Sequence, residues 1–154
     1  MTLDQQIQVL IQEAPQYGVA PVVIEQAIAP ALQSIAQQLK YSSYYILLNC
    51  QEQWVISVIK KTNSSSKEKR VVYAFTTVQD AKNFHQNQQA DLIASPLPIV
   101  QILFRLFSLQ QIESIVFFEE AGNTTQGSEI KRQDIQNLIQ QKLIQLKTTP
   151  SDIA

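Results

Sequence analysis

The first forty residues place apolar side chains at every third or fourth position, which is the spacing of amphipathic helices. Thr2, with Gln5 three positions later, predicts a capping box at the start of the first helix. A second helix is predicted from Pro21 to Leu39, with a kink near Ala29 because Pro30 removes a backbone hydrogen bond. The stripe of the first helix consists of Leu3, Ile7, Leu10, Ile11 and Ala14.

A shorter period follows, in which three apolar runs are separated by polar turns. The runs cover residues 44–48, 53–60 and 71–75, and the polar loop 62–67 joins the second run to the third. Alternation with a period of two is typical of strands, and short connections cannot join parallel neighbours. The pattern therefore predicts an antiparallel three-stranded meander.

The second half of the chain returns to helices with strands between them. The pattern predicts one α+β domain over residues 1–154, with a mixed sheet and helices packed on it. Residues 1–40 form an N-terminal helical part packed on that sheet. The remaining predicted elements are a helix over 78–88, a short extended piece at 90–94, a helix from Leu97 to Leu109, a strand over 112–118, a mobile loop over 123–128 and a closing helix from Glu129 to Lys147.

The helix from Leu97 to Leu109 is apolar on nearly every side, and Arg105 is its only charged residue. Such a helix is buried either in the core of its own domain or against a second subunit. The pattern leaves both alternatives open, and the interface alternative names Leu103, Phe104 and Phe107. Since an unpaired buried charge is very costly, we expect Arg105 to be partly buried and hydrogen-bonded.

From residue 40 to residue 146 the chain resembles the SseB-type (enhanced serine sensitivity) family of small bacterial α+β domains. The similarity comes from a strand ending in Phe75-Thr76-Thr77, a helix with Asp80-Ala81 and Phe84, the piece Leu92-Ile93-Ala94-Ser95 before an apolar helix, and a strand at Ile115-Val116-Phe117-Phe118. The resemblance implies a non-catalytic accessory or regulatory domain.

Charged residues make up only 16% of the chain, whereas about 25% is usual, and 24 glutamines take up the difference. A weakly charged surface resists association less, which favours a homo-oligomer, and a dimer is the commonest kind. The net charge of −1 gives no general attraction to nucleic acid or to an anionic membrane. We interpret the chain as cytoplasmic, because it lacks the pattern of a signal peptide and any apolar run of membrane-spanning length.

His85 and Cys50 are the only histidine and the only cysteine. Their numbers exclude an internal disulfide, a zinc cage of several histidines or thiolates, and a catalytic site with two histidines. We interpret His85 as a helix-surface residue and Cys50 as an unreactive thiol in a turn; the alternatives are a general base and a reactive thiol. The three glycines form no phosphate-binding motif, and the sequence predicts no catalytic residue, metal ligand or cofactor.

Two polar regions offer alternatives. Basic residues flank the loop 62–67, with Glu68 as the only acid among them. They indicate either contact with an anion or nucleic acid, or lysines that prevent a sheet edge from pairing with another strand. We favour the second interpretation. The segment from Glu119 to Ser128 could hold a small-molecule site, although neighbouring strand residues point to opposite faces, so Glu119 and Glu120 do not converge. The basic residues are Lys60, Lys61, Lys67, Lys69 and Arg70.

The sequence thus predicts a non-enzymatic protein-interaction or regulatory domain that self-associates and contacts an unknown protein partner. A small-molecule-binding or enzymatic domain with a site near residues 119–128 is the first alternative. Accessory nucleic-acid contact through residues 60–70 is a weaker one.

Overall fold

The structure is a computed structural model of the chain and describes residues 2–60, 68–84 and 91–148. The strands are β1 (Ser43–Leu48), β2 (Ser57–Lys60), β3 (Glu68–Phe75), β4 (Ile93–Pro98), β5 (Ser114–Glu120) and β6 (Asn123–Lys131). The helices are α1 (Leu3–Glu13), α2 (Pro21–Val23), α3 (Ala29–Ala36), α4 (Val78–Phe84), α5 (Ile99–Ser108) and α6 (Arg132–Thr148). A 3-10 turn at Ala14–Tyr17 follows α1, and a π-helical turn at Ile24–Ile28 joins α2 to α3.

The two N-terminal sequence signals have the predicted effects. Thr2 and Gln5 form the capping box, since each side chain bonds the backbone N–H of the other residue. Pro30 is the second residue of α3, and the π-helical turn that ends at Ile28 interrupts the regular helix close to the predicted kink at Ala29.

The fold is α+β, as predicted, with a mixed sheet of strand order β4-β1-β3-β5-β6. The pairing of β3 with β5 is parallel, and the other pairings are antiparallel. The strands β1 and β2 lie end to end along the same side of β3, so they do not form consecutive neighbours of a simple meander. The chain turns after β1 and before β2, and the Asn49 side chain stabilises this turn by accepting hydrogen bonds from the backbone N–H groups of Gln51 and Gln53.

Three predictions about the second half of the chain were wrong. The segment 123–128, predicted as a mobile loop, belongs to β6, and the closing helix begins at Arg132 instead of Glu129. An edge strand that is almost wholly exposed needs no alternation of apolar residues, so its sequence resembles that of a loop. The apolar helix begins at Ile99 because the prolines before it belong to edge strand β4, where a missing N–H can face outward.

The two faces of the sheet are covered unequally. Helices α1, α3, α5 and α6 cover one face and share a single buried core with it, so the N-terminal part packs on the same domain. Leu10, Leu32, Leu103 and Ile135 are buried members of that core from the four helices. The short α4 covers the other face, where a smaller apolar cluster includes Leu47, Phe75, Ala81 and Phe118.

Candidate functional site

The apolar helix α5 is mostly a core helix. Leu103 is fully buried, Phe104 is 5% exposed, and Phe107 is half-buried beside the surface. Of the three residues named for an interface, Phe107 therefore offers the largest accessible surface. The residues of α5 that are buried with Leu103 and Phe104 are Ile99, Val100, Ile102 and Leu106.

The expectation that Arg105 is partly buried was wrong, because its side chain is exposed. Its guanidinium lies 5.6 Å from the centre of the Trp54 ring, a cation–π contact at the surface. Gln101, Arg105 and Ser108 are all exposed at spacings of four and three residues, which is a narrow solvent-facing stripe. Two of these residues are uncharged, which is why the stripe was not recognised from charge alone.

A cleft of about 430 Å³ opens between α1, the 3-10 turn and α5, and we call it the α1–α5 cleft. Val9 on α1 and Tyr17 on the turn line it, and they are 36% and 44% exposed. Phe104 and Phe107 of α5 and the adjoining Leu109 supply the opposite apolar wall. The cleft therefore presents accessible apolar side chains from two elements that are far apart in sequence.

Gln6 fixes the two walls of the cleft to each other. It is 4% exposed; its amide donates to the Ser42 carbonyl, and its side-chain oxygen accepts from the Val100 N–H, each at 2.9 Å. The N-cap of α5 is Pro98, which provides no side-chain cap. Gln6 therefore caps α5 from a neighbouring helix and satisfies an N–H that the helix cannot satisfy itself.

Two opposite charges lie on the walls of the cleft, Glu13 on α1 and Arg105 on α5. The Tyr17 hydroxyl donates to the Glu13 carboxylate at 2.9 Å, and its ring packs on Phe104 with 4.8 Å between centres. Partial burial, and after it the hydrogen bond and charge of Glu13, raise the pKa of Tyr17, while Arg105 acts in the opposite sense. Within the described ranges neither Glu13 nor Arg105 forms an ion pair.

The segment from Glu119 to Ser128 forms the end of the β5–β6 hairpin, with a shallow depression of about 260 Å³. The Glu119 carboxylate accepts from the backbone N–H of Lys40 at 2.9 Å and from the Tyr44 hydroxyl at 3.3 Å. Burial, opposed by backbone hydrogen bonds and assisted by Glu119, raises the pKa of Tyr44 to about 12. Glu119 thus joins the segment before β1 to β5, and these hydrogen bonds give its carboxylate a structural role.

The turn of the same hairpin is held by Asp80 from α4. Asp80 is 8% exposed, and its carboxylate accepts from the backbone N–H of Gly122 at 2.8 Å. Its own backbone N–H donates to the Thr77 hydroxyl at 3.1 Å, which caps α4. The polar groups at this end of the sheet are therefore engaged in holding elements together.

The described basic residues of β2 and β3 are divided between the two faces of the sheet, with Lys60 and Arg70 on one face and Lys69 on the other. Lys60 lies opposite Glu68 in the register of the two strands, and Lys69 forms an ion pair with Glu129 of β6. Arg70 is exposed and neighbours Lys69 on the strand, so the two side chains point to opposite faces. Lys61 and Lys67 of the predicted cluster, and the loop 62–67, lie outside the described residues.

Glu129 is the centre of a small polar network. The Ser114 hydroxyl donates to its carboxylate at 2.6 Å beside the ion pair with Lys69. Partial burial alone would raise the pKa of Glu129, but the hydrogen bonds from Lys69 and Ser114 outweigh it, so that the pKa lies below its usual value. Ser114 is completely buried, and the network joins the neighbouring strands β3, β5 and β6.

The remaining candidate residues add no site. Cys50 is exposed in the turn after β1, as predicted, and His85 lies outside the described residues. The ranges that the structure describes contain no group of three His, Cys, Asp or Glu side chains placed to hold a metal ion. None of the helices in those ranges combines the length and apolar character needed to cross a bilayer.

A scan against known protein families gives no match to the chain, and a search of curated proteins gives none either. The resemblance to the SseB-type family therefore stays a prediction. The α1–α5 cleft is the feature that sequence reasoning missed. Val9 lies beside the apolar stripe of α1 and Tyr17 beyond its end, and only the packing of α1 on α5 brings them to Phe107.

Proposed function

We propose that this chain is a non-enzymatic protein-interaction domain that self-associates, and that the α1–α5 cleft is its contact surface. The observation that carries the proposal is the exposure of Val9 and Tyr17 beside Phe107 in a single concave surface. Accessible apolar side chains that lie together in this way are typical of contact sites. Few charged residues and a net charge of −1 leave little electrostatic repulsion between copies.

The test compares two lysine substitutions by sedimentation velocity at micromolar concentration. Val9→Lys places an ammonium group inside the cleft, where a second copy would have to desolvate it. Ile144→Lys is the matched control, since Ile144 is 59% exposed on α6 and does not line the cleft. The proposal predicts a dimeric wild type, a folded monomer for Val9→Lys, and a dimer for Ile144→Lys. Equal sedimentation of the wild type and Val9→Lys would refute the cleft as the contact surface.

A small apolar molecule is the second candidate occupant of the same cleft. Its volume of about 430 Å³ lies in the range of about 300–1,000 Å³ that is usual for small-molecule sites. This alternative predicts that a member of an amphiphile library raises the melting temperature of the wild type but not of Val9→Lys. A library that shifts neither protein would contradict it.

A further inference from the structure

The opposite charges of the α1–α5 cleft favour one orientation of two facing copies over another. Glu13 belongs to the wall formed by α1 and Arg105 to the wall formed by α5. Neither has an ion-pair partner in the part of the chain that the structure describes. Tyr17 packs on Phe104 and bonds Glu13, so the two charged residues lie toward the same end of the cleft.

The two walls run in the same direction. Near the beginning of both helices Gln6 bonds Val100, and further along both of them Tyr17 packs on Phe104. A two-fold axis between facing clefts can therefore lie either along the helices or across them. An axis along the helices places the α1 wall of each copy against the α5 wall of the other. An axis across the helices places like walls against each other.

Charge decides between the two arrangements. With the axis along the helices, Glu13 of each copy faces Arg105 of the other, and the pair occurs twice because a two-fold contact repeats every interaction. With the axis across them, the charged ends of the two clefts lie at opposite ends of the contact, so Glu13 meets no Arg105 and the interface gains no attraction between opposite charges.

We propose that two copies of this chain pair through their α1–α5 clefts about a two-fold axis parallel to α1 and α5, with Glu13 of each copy bound to Arg105 of the other. The inference rests on the proposed self-association through the cleft and adds its orientation. The partner is a second copy of the chain, and the ion pairs determine how the two copies are aligned. Val9, Tyr17 and Phe107 of the same clefts supply the apolar part of the contact.

A charge-swap experiment tests the orientation. The dimerisation constants of wild type, Glu13→Arg, Arg105→Glu and the double variant are measured by sedimentation equilibrium at low and at high salt. Each single variant is expected to dimerise about tenfold or more weakly at low salt, since two attractive pairs become repulsive. The double variant is expected to return to within about threefold of the wild type, the scale of an exposed ion pair. High salt should reduce all these differences, because the pairs are at the rim.

The outcomes separate this inference from the proposed function. A double variant that dimerises no better than the single variants would overturn the ion pairs, and a Val9→Lys monomer in the same series would show that the cleft is still the contact. A wild type that is monomeric would overturn both proposals together. If Arg105→Glu does not fold because it loses its contact with Trp54, Glu13→Arg is compared with Glu13→Gln. The proposal then requires the arginine variant to dimerise more weakly than the glutamine variant, and equal constants would refute it.

Discussion

Replacing Gln6 with leucine tests whether the cap that it gives α5 holds the cleft together. The substitution keeps a side chain of similar size and leaves the Val100 N–H without an acceptor, since Val100 is 1% exposed. The Ser42 carbonyl keeps a partner, because it also accepts from the Ile99 N–H at 3.0 Å. The Val100 N–H is therefore the buried donor that loses its acceptor.

The cost of one unsatisfied buried donor is about 1–3 kcal/mol. For a domain of this size about 2–4 °C of melting temperature is lost per kcal/mol, so the expected decrease is roughly 2–12 °C, centred near 6 °C. Thermal unfolding followed by circular dichroism measures it, with Gln8→Leu as the control because Gln8 is exposed on the same helix. A Gln6→Leu variant that melts within the error of Gln8→Leu would show that Gln6 is not needed to join α1 to α5.

Three further predictions concern the opposite side of the sheet. Asp80→Ala should lower the free energy of unfolding by about 1–3 kcal/mol in urea titrations, because the hydrogen bond from the Gly122 N–H to a charged carboxylate is lost. Gly127→Ala should also destabilise the fold in urea titrations, since an added Cβ would lie 2.9 Å from the Phe117 carbonyl oxygen. Glu129, whose pKa is lowered by folding, should contribute stability above its unfolded value of 4.5 that is lost as the pH falls through the folded value, so Glu129→Gln should flatten the acid limb of stability against pH.

Each of these predictions has a control substitution at an exposed residue that is of the same type or lies next to the test residue. Asp134→Ala and Ser128→Ala should leave the urea midpoint almost unchanged, and Glu25→Gln should leave the acid limb as steep as in the wild type. The reasoning on Asp80 or Gly127 fails if its variant unfolds at the same urea concentration as its control. The reasoning on Glu129 fails if the acid limbs of Glu129→Gln and Glu25→Gln coincide.

The sequence predicted the helices and strands that have one buried face, because a buried face requires apolar residues at regular spacing. Leu10 and Leu32 belong to helical stripes, and both lie in the core as their spacing indicated. The edge strand β6 was missed, since the adjacent residues Thr125 and Gln126 are both exposed and no alternation is required of them. The stripe around Arg105 was missed because its neighbours on the same face are uncharged.

The cleft could not be predicted for a different reason. Its residues come from α1, the following turn and α5, and no local pattern states that these elements lie side by side. That most of α5 lies in the core became clear only from the packing of α1, α3 and α6 around it. Once that packing is known, Val9, Tyr17 and Phe107 are seen to line one cleft together.

The central claim is that two copies meet through this cleft, and the mass of the wild-type protein in solution tests it most directly. Light scattering across a dilution series should give a mass near twice the 17.4 kDa of one chain, falling toward that of one chain on dilution. A mass of one chain at every concentration, including the highest that stays soluble, would contradict the claim and leave the cleft without a second copy to fill it.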